Sequence, residues 1–241
     1  MSAPKSSYFT TASYISGNLF QMRHSISQHF HLEQNNVALQ KENIELRKSS
    51  SLYLYSNSVA STKKKDTLYS QQYEYIPGTI INSTTTKRNN FFTINIGNLH
   101  GVKKGMGVFS SIGVVGIIHN TSKHFSVVKS VLTKNINIDV LLTDVGASGM
   151  LKWDGEDPSI GHVTSISNDN VIPVGCKVVT RGGGGIFPRG LDVGTVIGKR
   201  TIEGEASWHI DIDFSQSYSA LENIYVVKNL FLNELNTLQN Q

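Results

Sequence analysis

Thr180-Arg181-Gly182-Gly183-Gly184-Gly185-Ile186-Phe187-Pro188-Arg189-Gly190-Leu191-Asp192-Val193-Gly194-Thr195-Val196 is a glycine-punctuated turn that feeds a valine-rich strand. Glycine takes positive φ without a Cβ clash, so repeated glycine in an apolar context marks the tight turns and bulges of a curved sheet. Gly182, Phe187, Pro188, Gly190 and Gly194 are read as a structural turn motif. Outward from it, strand signals come as short runs bounded by Gly, Asn, Asp and Pro: Tyr75–Ile81, Phe91–Ile96, Val108–Phe109, Val114–His119, Ser126–Val131, Ile138–Leu142, Gly149–Leu151, His162–Ser165, Lys177–Thr180, Val193–Val196, Trp208–Phe214 and Ile224–Val227. No helical pattern separates them, so the fold class is mainly β with antiparallel sheets, and closure into small barrels removes the exposed edges. In Trp208-His209-Ile210-Asp211-Ile212-Asp213-Phe214 the alternation is strict and predicts a half-buried strand.

Upstream, from about Tyr14 to Lys48, proline is absent and Gly17 is the one glycine, which predicts a helix. Leu32, Leu39 and Leu46 recur every seven residues; with these at d, Met22, His29, Asn36 and Asn43 fall at a. Leucine at d with asparagine at a favours an in-register two-stranded pairing, so Leu32, Asn36, Leu39, Asn43 and Leu46 are the candidate dimerisation residues. Ile26 and Ile44 lie off this seam, and a lone amphipathic helix packed on the head stays open as the other reading. Residues 51–72, rich in Ser, Tyr, Lys and Thr, read as a linker, with Lys63-Lys64-Lys65 as a solvated run. Residues 229–241 read as a frayed tail.

The chain has 241 residues, a formal net charge of +4 and a single cysteine, Cys176. One cysteine excludes an intramolecular disulfide and a cysteine-based zinc site. No window approaches the roughly 18 apolar residues of a membrane span, and Met1-Ser2-Ala3-Pro4 reads as an arbitrary start, so residues 1–13 are expected to be a tail that follows a missing membrane anchor.

The residues argue for architecture over chemistry. His209, Asp211 and Asp213 share one strand face, but a metal site needs convergence from other elements, and none is visible; no metal and no cofactor are expected. His24, His29 and His31 are spaced by five and two rather than the three or four of paired helical ligands. Gly182–Gly185 lacks the Gly-Lys-Ser/Thr ending and following helix of a phosphate loop. No nucleophile loop is present, and Cys176 at a strand start reads as a small buried thiol. The tyrosines Tyr53, Tyr55, Tyr69, Tyr73 and Tyr75 near the lysine run are too loosely placed for a nucleic-acid surface, and no nucleic-acid partner is expected.

The order of features resembles the rod shape-determining protein MreC family, from about Tyr14 to Val227. The resemblance rests on Glu42-Asn43-x-x-Leu46-Arg47; on Ile94-Asn95-Ile96-Gly97-x-x-x-Gly101-Val102-x-x-Gly105-Met106-x-Val108; and on Gly113-Val114-Val115-Gly116. It continues in Gly175-x-x-Val178-Val179-Thr180-x-Gly182 and Ile186-Phe187-Pro188-x-Gly190-Leu191-x-Val193-Gly194-x-Val196. Gly175-Cys176 and Thr180-Arg181-Gly182 stand where the family usually has Gly-Asp and Thr-Ser-Gly. The resemblance implies a coiled-coil helix (14–50) followed by two six-stranded antiparallel β-barrels without catalytic residues. A first barrel of 73–106 plus 170–228 is expected to carry a second, 107–169, as an insert, with Gly105 and Gly175 near the crossings. It also implies a non-catalytic scaffold on the periplasmic side of the bacterial inner membrane, anchored by an N-terminal helix. The implied partners are a second copy in a dimer or filament, the MreD membrane protein, the elongation penicillin-binding transpeptidase, its glycosyltransferase partner and, indirectly, MreB. The alternatives are a barrel-domain serine or cysteine peptidase relative and a generic coiled-coil adaptor.

Overall fold

Short turns decide which strands become neighbours. The structure, a computed structural model, describes residues 38–46, 54–56 and 69–239. Residues 38–46 are helical (α1) and belong to a unit of residues 1–47, separate from that of 48–241. In the second unit β1 (Leu54–Ser56) pairs antiparallel with β2 (Tyr69–Gln71), so the expected linker of 51–72 contains a strand pair. Tyrosine at Tyr55 and Tyr69 favours strand, a preference that the surrounding Ser and Lys composition conceals.

The head begins with β3 (Tyr73–Ser83), β4 (Asn89–Ile94), β5 (Gly107–Phe109), β6 (Val114–Thr121) and β7 (Ser126–Thr133). It continues with β8 (Ile138–Leu142), β9 (Ser148–Lys152), β10 (Ile160–Ser167), β11 (Lys177–Thr180), β12 (Asp192–Thr201) and β13 (Ser207–Phe214), then β14 (Asn223–Asn229) and helix α2 (Leu232–Gln239). Two closed six-stranded barrels result, in the orders β14-β3-β4-β7-β6-β5 and β10-β13-β12-β11-β8-β9, and neighbouring strands in them pair antiparallel. All twelve expected strand runs overlap these strands: eleven lie within them, and Phe91–Ile96 runs two residues past the end of β4.

The partition differs from the expected one. The first barrel takes Tyr73–Thr133 and Asn223–Asn229, and the insert is Ile138–Phe214, not 107–169. The reason is local: β5, β6 and β7 are joined by tight turns at Ser110–Gly113 and Ser122–Phe125, which close on themselves through Ser110 N to Gly113 O (2.8 Å) and Ser122 N to Phe125 O (2.8 Å). Strands so joined share a sheet. Buried Asn90 then ties β4 to β7, donating to Leu132 O at 2.7 Å while Thr133 Oγ1 donates to Asn90 O at 2.7 Å. The crossings therefore fall at residues 134–137 and 215–222, away from Gly105 and Gly175.

Each barrel has its own core. Phe92, Ile94, Val108, Phe109, Val128 and Leu132 fill the first, where Phe109 meets Tyr75 edge-on and stacks on Tyr225, both at 5.2 Å between centroids. Val140, Leu142, Leu151, Val163, Ile210 and Ile212 fill the second. Burial of such side chains stabilises by about 1.5–3 kcal/mol each. The alternation on β13 holds: Ile210, Ile212 and Phe214 point inward, whereas His209 and Asp211 are half-buried and Asp213 is exposed. Residues 229–239 are not a frayed tail, because Leu230 N donates to Gln72 O and α2 follows. Among the described residues no helix is long and apolar enough to cross a membrane.

Candidate functional site

Of the expected dimerisation residues, Leu32 and Asn36 lie outside the described residues. Leu39 and Leu46 are 54% and 63% exposed. Asn43 donates its amide to Leu39 O within the same helix at 3.1 Å, and Ile44, off the proposed seam, is the buried side chain of α1.

The turn motif is the joint between the barrels. Thr180, fully buried at the end of β11, donates Oγ1 to Pro188 O (2.6 Å) and accepts from Leu191 N (3.0 Å), which pins both arms of the loop with one hydroxyl. Gly182 opens the loop at φ +84, and a Cβ there would press on Arg189 at 2.8 Å. The loop delivers Phe187 and Pro188, both buried, to the first barrel. The Phe187 ring lies where a side chain on Gly107 of β5 would stand, 2.5 Å from that missing Cβ, and Tyr73 donates its hydroxyl to Phe187 O at 3.5 Å. Gly190 N donates to Thr180 O at 2.9 Å, and Gly194 on β12 lets Asp213 O of β13 approach its Cα. Gly185 is buried beneath α2: Asn229 donates to its carbonyl at 3.0 Å, and Leu232 would meet any added Cβ at 3.0 Å. Arg181 and Arg189 are exposed on the loop.

The crossover from β13 to β14 forms the other half of the joint. Ser110 and Gln216 bond at 2.5 Å, and Gln216 Nε2 donates to Val114 O at 2.7 Å. Tyr218 adds a hydroxyl to the same carbonyl at 3.2 Å; its burial pushes the phenol far above the ordinary range. A cleft of about 450 Å³ opens beside it, lined by Thr85, Pro158, Ser159, Ser215, Ser217 and Tyr218 among others.

The outer face of the second barrel carries a charged cluster that reading β13 alone misses. His162 on β10 stands opposite Asp211 and bonds its Oδ1 through Nδ1 at 2.8 Å, while Nε2 bonds Asp154 Oδ2 at 2.9 Å. Arg200 on β12 grips Asp211 with Nη1 at 2.6 and 2.9 Å. His209 lies 4.9 Å from His162 between ring centroids. Burial, then the charges of Arg200 and His162, holds its imidazole below the ordinary value. Burial alone would raise the Asp154 carboxyl, yet the Glu156 N–H and His162 outweigh it and the group sits below its ordinary value. Both ring nitrogens of His162 face carboxylates, so neither is open to activate a hydroxyl or thiol as a nucleophile's base must. Cys176 is fully buried. The peptidase arrangement is therefore not built from these groups. Asp154 and His162 could be reached from sequence only by pairing β10 with β13 in register, since no short motif links them.

Comparison with known proteins matches residues 80–228 to the family described as rod shape-determining protein MreC, barrel core. The cell shape-determining protein MreC of Listeria monocytogenes serovar 1/2a (strain ATCC BAA-679 / EGD-e) is 26% identical over 168 residues, covering 68% of this chain and 52% of that protein. The chain thus spans about half the length of this curated relative. Among solved structures, MreC of Listeria monocytogenes superposes with a TM-score of 0.62 at 22% identity, covering 87% of this chain and 94% of that one. MreC of Pseudomonas aeruginosa gives 0.58 at 18%, covering 64% and 99%. A chain from a complex between penicillin-binding protein (PBP2) and MreC from Helicobacter pylori gives 0.55 at 16%, covering 66% and 99%. These likenesses share the double-barrel fold. With the family match extending over well over half of its residues, from the end of β3 through β14, the chain belongs to the rod shape-determining protein MreC family.

Proposed function

We propose that this chain is a non-catalytic scaffold outside the cytoplasmic membrane that organises the lateral cell-wall elongation machinery of a rod-shaped bacterium. The observation that carries this reading is the family match over 80–228, whose residues build two closed barrels fastened to each other at the Phe187 loop and the Gln216 crossover. A rigid pair of barrels is suited to holding other proteins at fixed geometry, and it uses no cofactor to do so. In this reading an N-terminal membrane anchor precedes the helix and the head lies in the periplasm. The helix pairs two copies through Leu32, Asn36, Leu39, Asn43 and Leu46.

The partners in this reading are the elongation penicillin-binding transpeptidase, its glycosyltransferase, MreD in the membrane and, through it, MreB inside. The Helicobacter pylori complex of a relative with a penicillin-binding protein supports the first of these. A scaffold shifts an enzyme's conformational equilibrium only by binding one state more tightly than another. The test uses the 241-residue chain on a biosensor with the soluble part of the elongation transpeptidase from the same organism, together with complementation of a depleted strain by the anchored protein. Saturable binding and recovery of rod shape are expected. Absence of binding together with cells that stay round would overturn the proposal.

A further inference from the structure

We propose that His162, His209 and Asp211 form a binding site for a divalent transition-metal ion of the zinc class on the outer face of the second barrel. Reading β13 alone leaves such a site unformed, because His209, Asp211 and Asp213 sit on one strand and do not converge. The tertiary fold supplies the convergence from β10: His162 is the direct cross-strand partner of Asp211, and His209 is two residues away on the same face. One ligand atom from each of the three lies within 4.8 Å of the others.

Three further features fit the assignment. First, the register of β10 slips between Val163 and Ile166, where Ser165 takes φ +68, so His209 faces the extra residue and has no paired residue on that side. A bulge of this kind re-aims side chains at a site. Second, the Nε2 atom of His209 is buried and has no hydrogen-bond partner. A buried unpaired nitrogen is costly and rare, and a metal bond would satisfy it. Third, Asp154 holds Nε2 of His162 at 2.9 Å, which turns Nδ1 toward Asp211. A carboxylate on the far nitrogen is the usual support of a metal-bound histidine, since it fixes the tautomer and the ring plane.

Two imidazole nitrogens and one carboxylate oxygen suit zinc, nickel, cobalt or copper rather than magnesium or calcium, with water completing the coordination. On binding, Nδ1 of His162 exchanges its hydrogen bond to Asp211 Oδ1 for the metal and any proton it carries leaves to solvent; ligand bonds of about 2.0–2.2 Å then require these two atoms to part slightly and His209 to swing inward. Arg200 can remain on the other oxygen of Asp211, Oδ2, which it already holds at 2.6 Å. The inference is independent of the scaffold reading.

The test is titration of the 241-residue chain with Zn²⁺ alone by calorimetry, paired with imidazole ¹⁵N NMR on the same sample. The expected result is one saturable site that perturbs the ring nitrogens of His162 and His209. His209→Gln should weaken it at least tenfold, and Asp154→Asn by about tenfold through loss of the supporting bond. His119→Ala, remote in sequence on β6, should leave it unchanged. Binding that survives His209→Gln in a variant with an unaltered circular dichroism spectrum would overturn the proposal, because ligands elsewhere in the chain would then account for it. Lack of any zinc-dependent change at His162 and His209 in the unaltered chain would overturn it equally, and that readout needs no variant to fold.

Discussion

Thr180 shows how one hydroxyl can define a loop. It donates to Pro188 O and accepts from Leu191 N with its Oγ1 fully buried, so both ends of the joint are referenced to the same atom. Thr180→Val keeps the shape and removes the hydroxyl, leaving a buried carbonyl and a buried N–H unpaired. A loss of about 1–3 kcal/mol is expected in urea unfolding, with Thr180→Ser recovering most of it. Stability equal to the parent would refute this role. Asp157 offers a titration test at the same scale. Its carboxylate accepts from the Ser159 hydroxyl (2.7 Å) and backbone N–H (2.8 Å), and these bonds hold it below its ordinary value. A depressed carboxylate contributes stability above its unfolded-state pKa, and that contribution is lost as pH falls through the folded value. Ser159→Ala removes only the hydroxyl bond, so the Asp157 midpoint should rise part of the way in a carboxyl ¹³C titration; an unmoved midpoint would contradict the assignment.

Between elements, the decisive contact is a ring seated on a missing side chain. Phe187 occupies the space above Gly107 on β5, and Ile186 O lies 2.6 Å from where a Cβ would be, so Gly107→Ala collides with both ring and backbone. Overpacking of this kind costs about 1–3 kcal/mol. Phe187→Ala removes a buried ring and should cost about 3–5 kcal/mol in the same unfolding assay. Should both variants melt like the parent, the loop would not be the joint. The helix seam makes a separate claim. If Leu39 and Leu46 pair two copies, Leu39→Lys with Leu46→Lys should turn a sedimenting dimer into monomer; a dimer that persists would assign the exposed leucines another role. The burial of Ile44 shows that the helix also has a face the leucine seam does not use.

At the level of the whole head, two barrels with separate cores are held to one another by a loop and a crossover. Gln216, Tyr218 and Ser110 on one side and Phe187 on the other are the contacts expected to couple their unfolding. Scanning calorimetry of the parent should therefore show one cooperative transition for the head, and Phe187→Ala should split it into two. Two transitions already present in the parent would show the barrels to be independent. The proposed scaffold role depends on this coupling, since a force or partner acting on one barrel can reorient the other only through a stiff joint.

The amino-acid sequence by itself determined the twelve strands of the barrels, because period-two alternation and glycine punctuation are local signals: every run, including Trp208–Phe214, overlaps one of them, whereas β1 and β2 escaped it. It also determined the order of motifs that ties the chain to its family. Tertiary structure decided what alternation leaves undetermined, namely which strands close which barrel. That choice rests on hydrogen bonds between distant residues, such as Asn90 with Leu132 and Thr133 or β14 with β3 and β5, so the inserted barrel is 138–214 and not 107–169. The same holds for the cluster of Asp154, His162, Arg200, His209 and Asp211. These residues come from three strands and a loop, and only cross-strand register brings them together. Alternation assigns a residue to a face, whereas pairing register assigns it a neighbour, and register is a property of two strands at once.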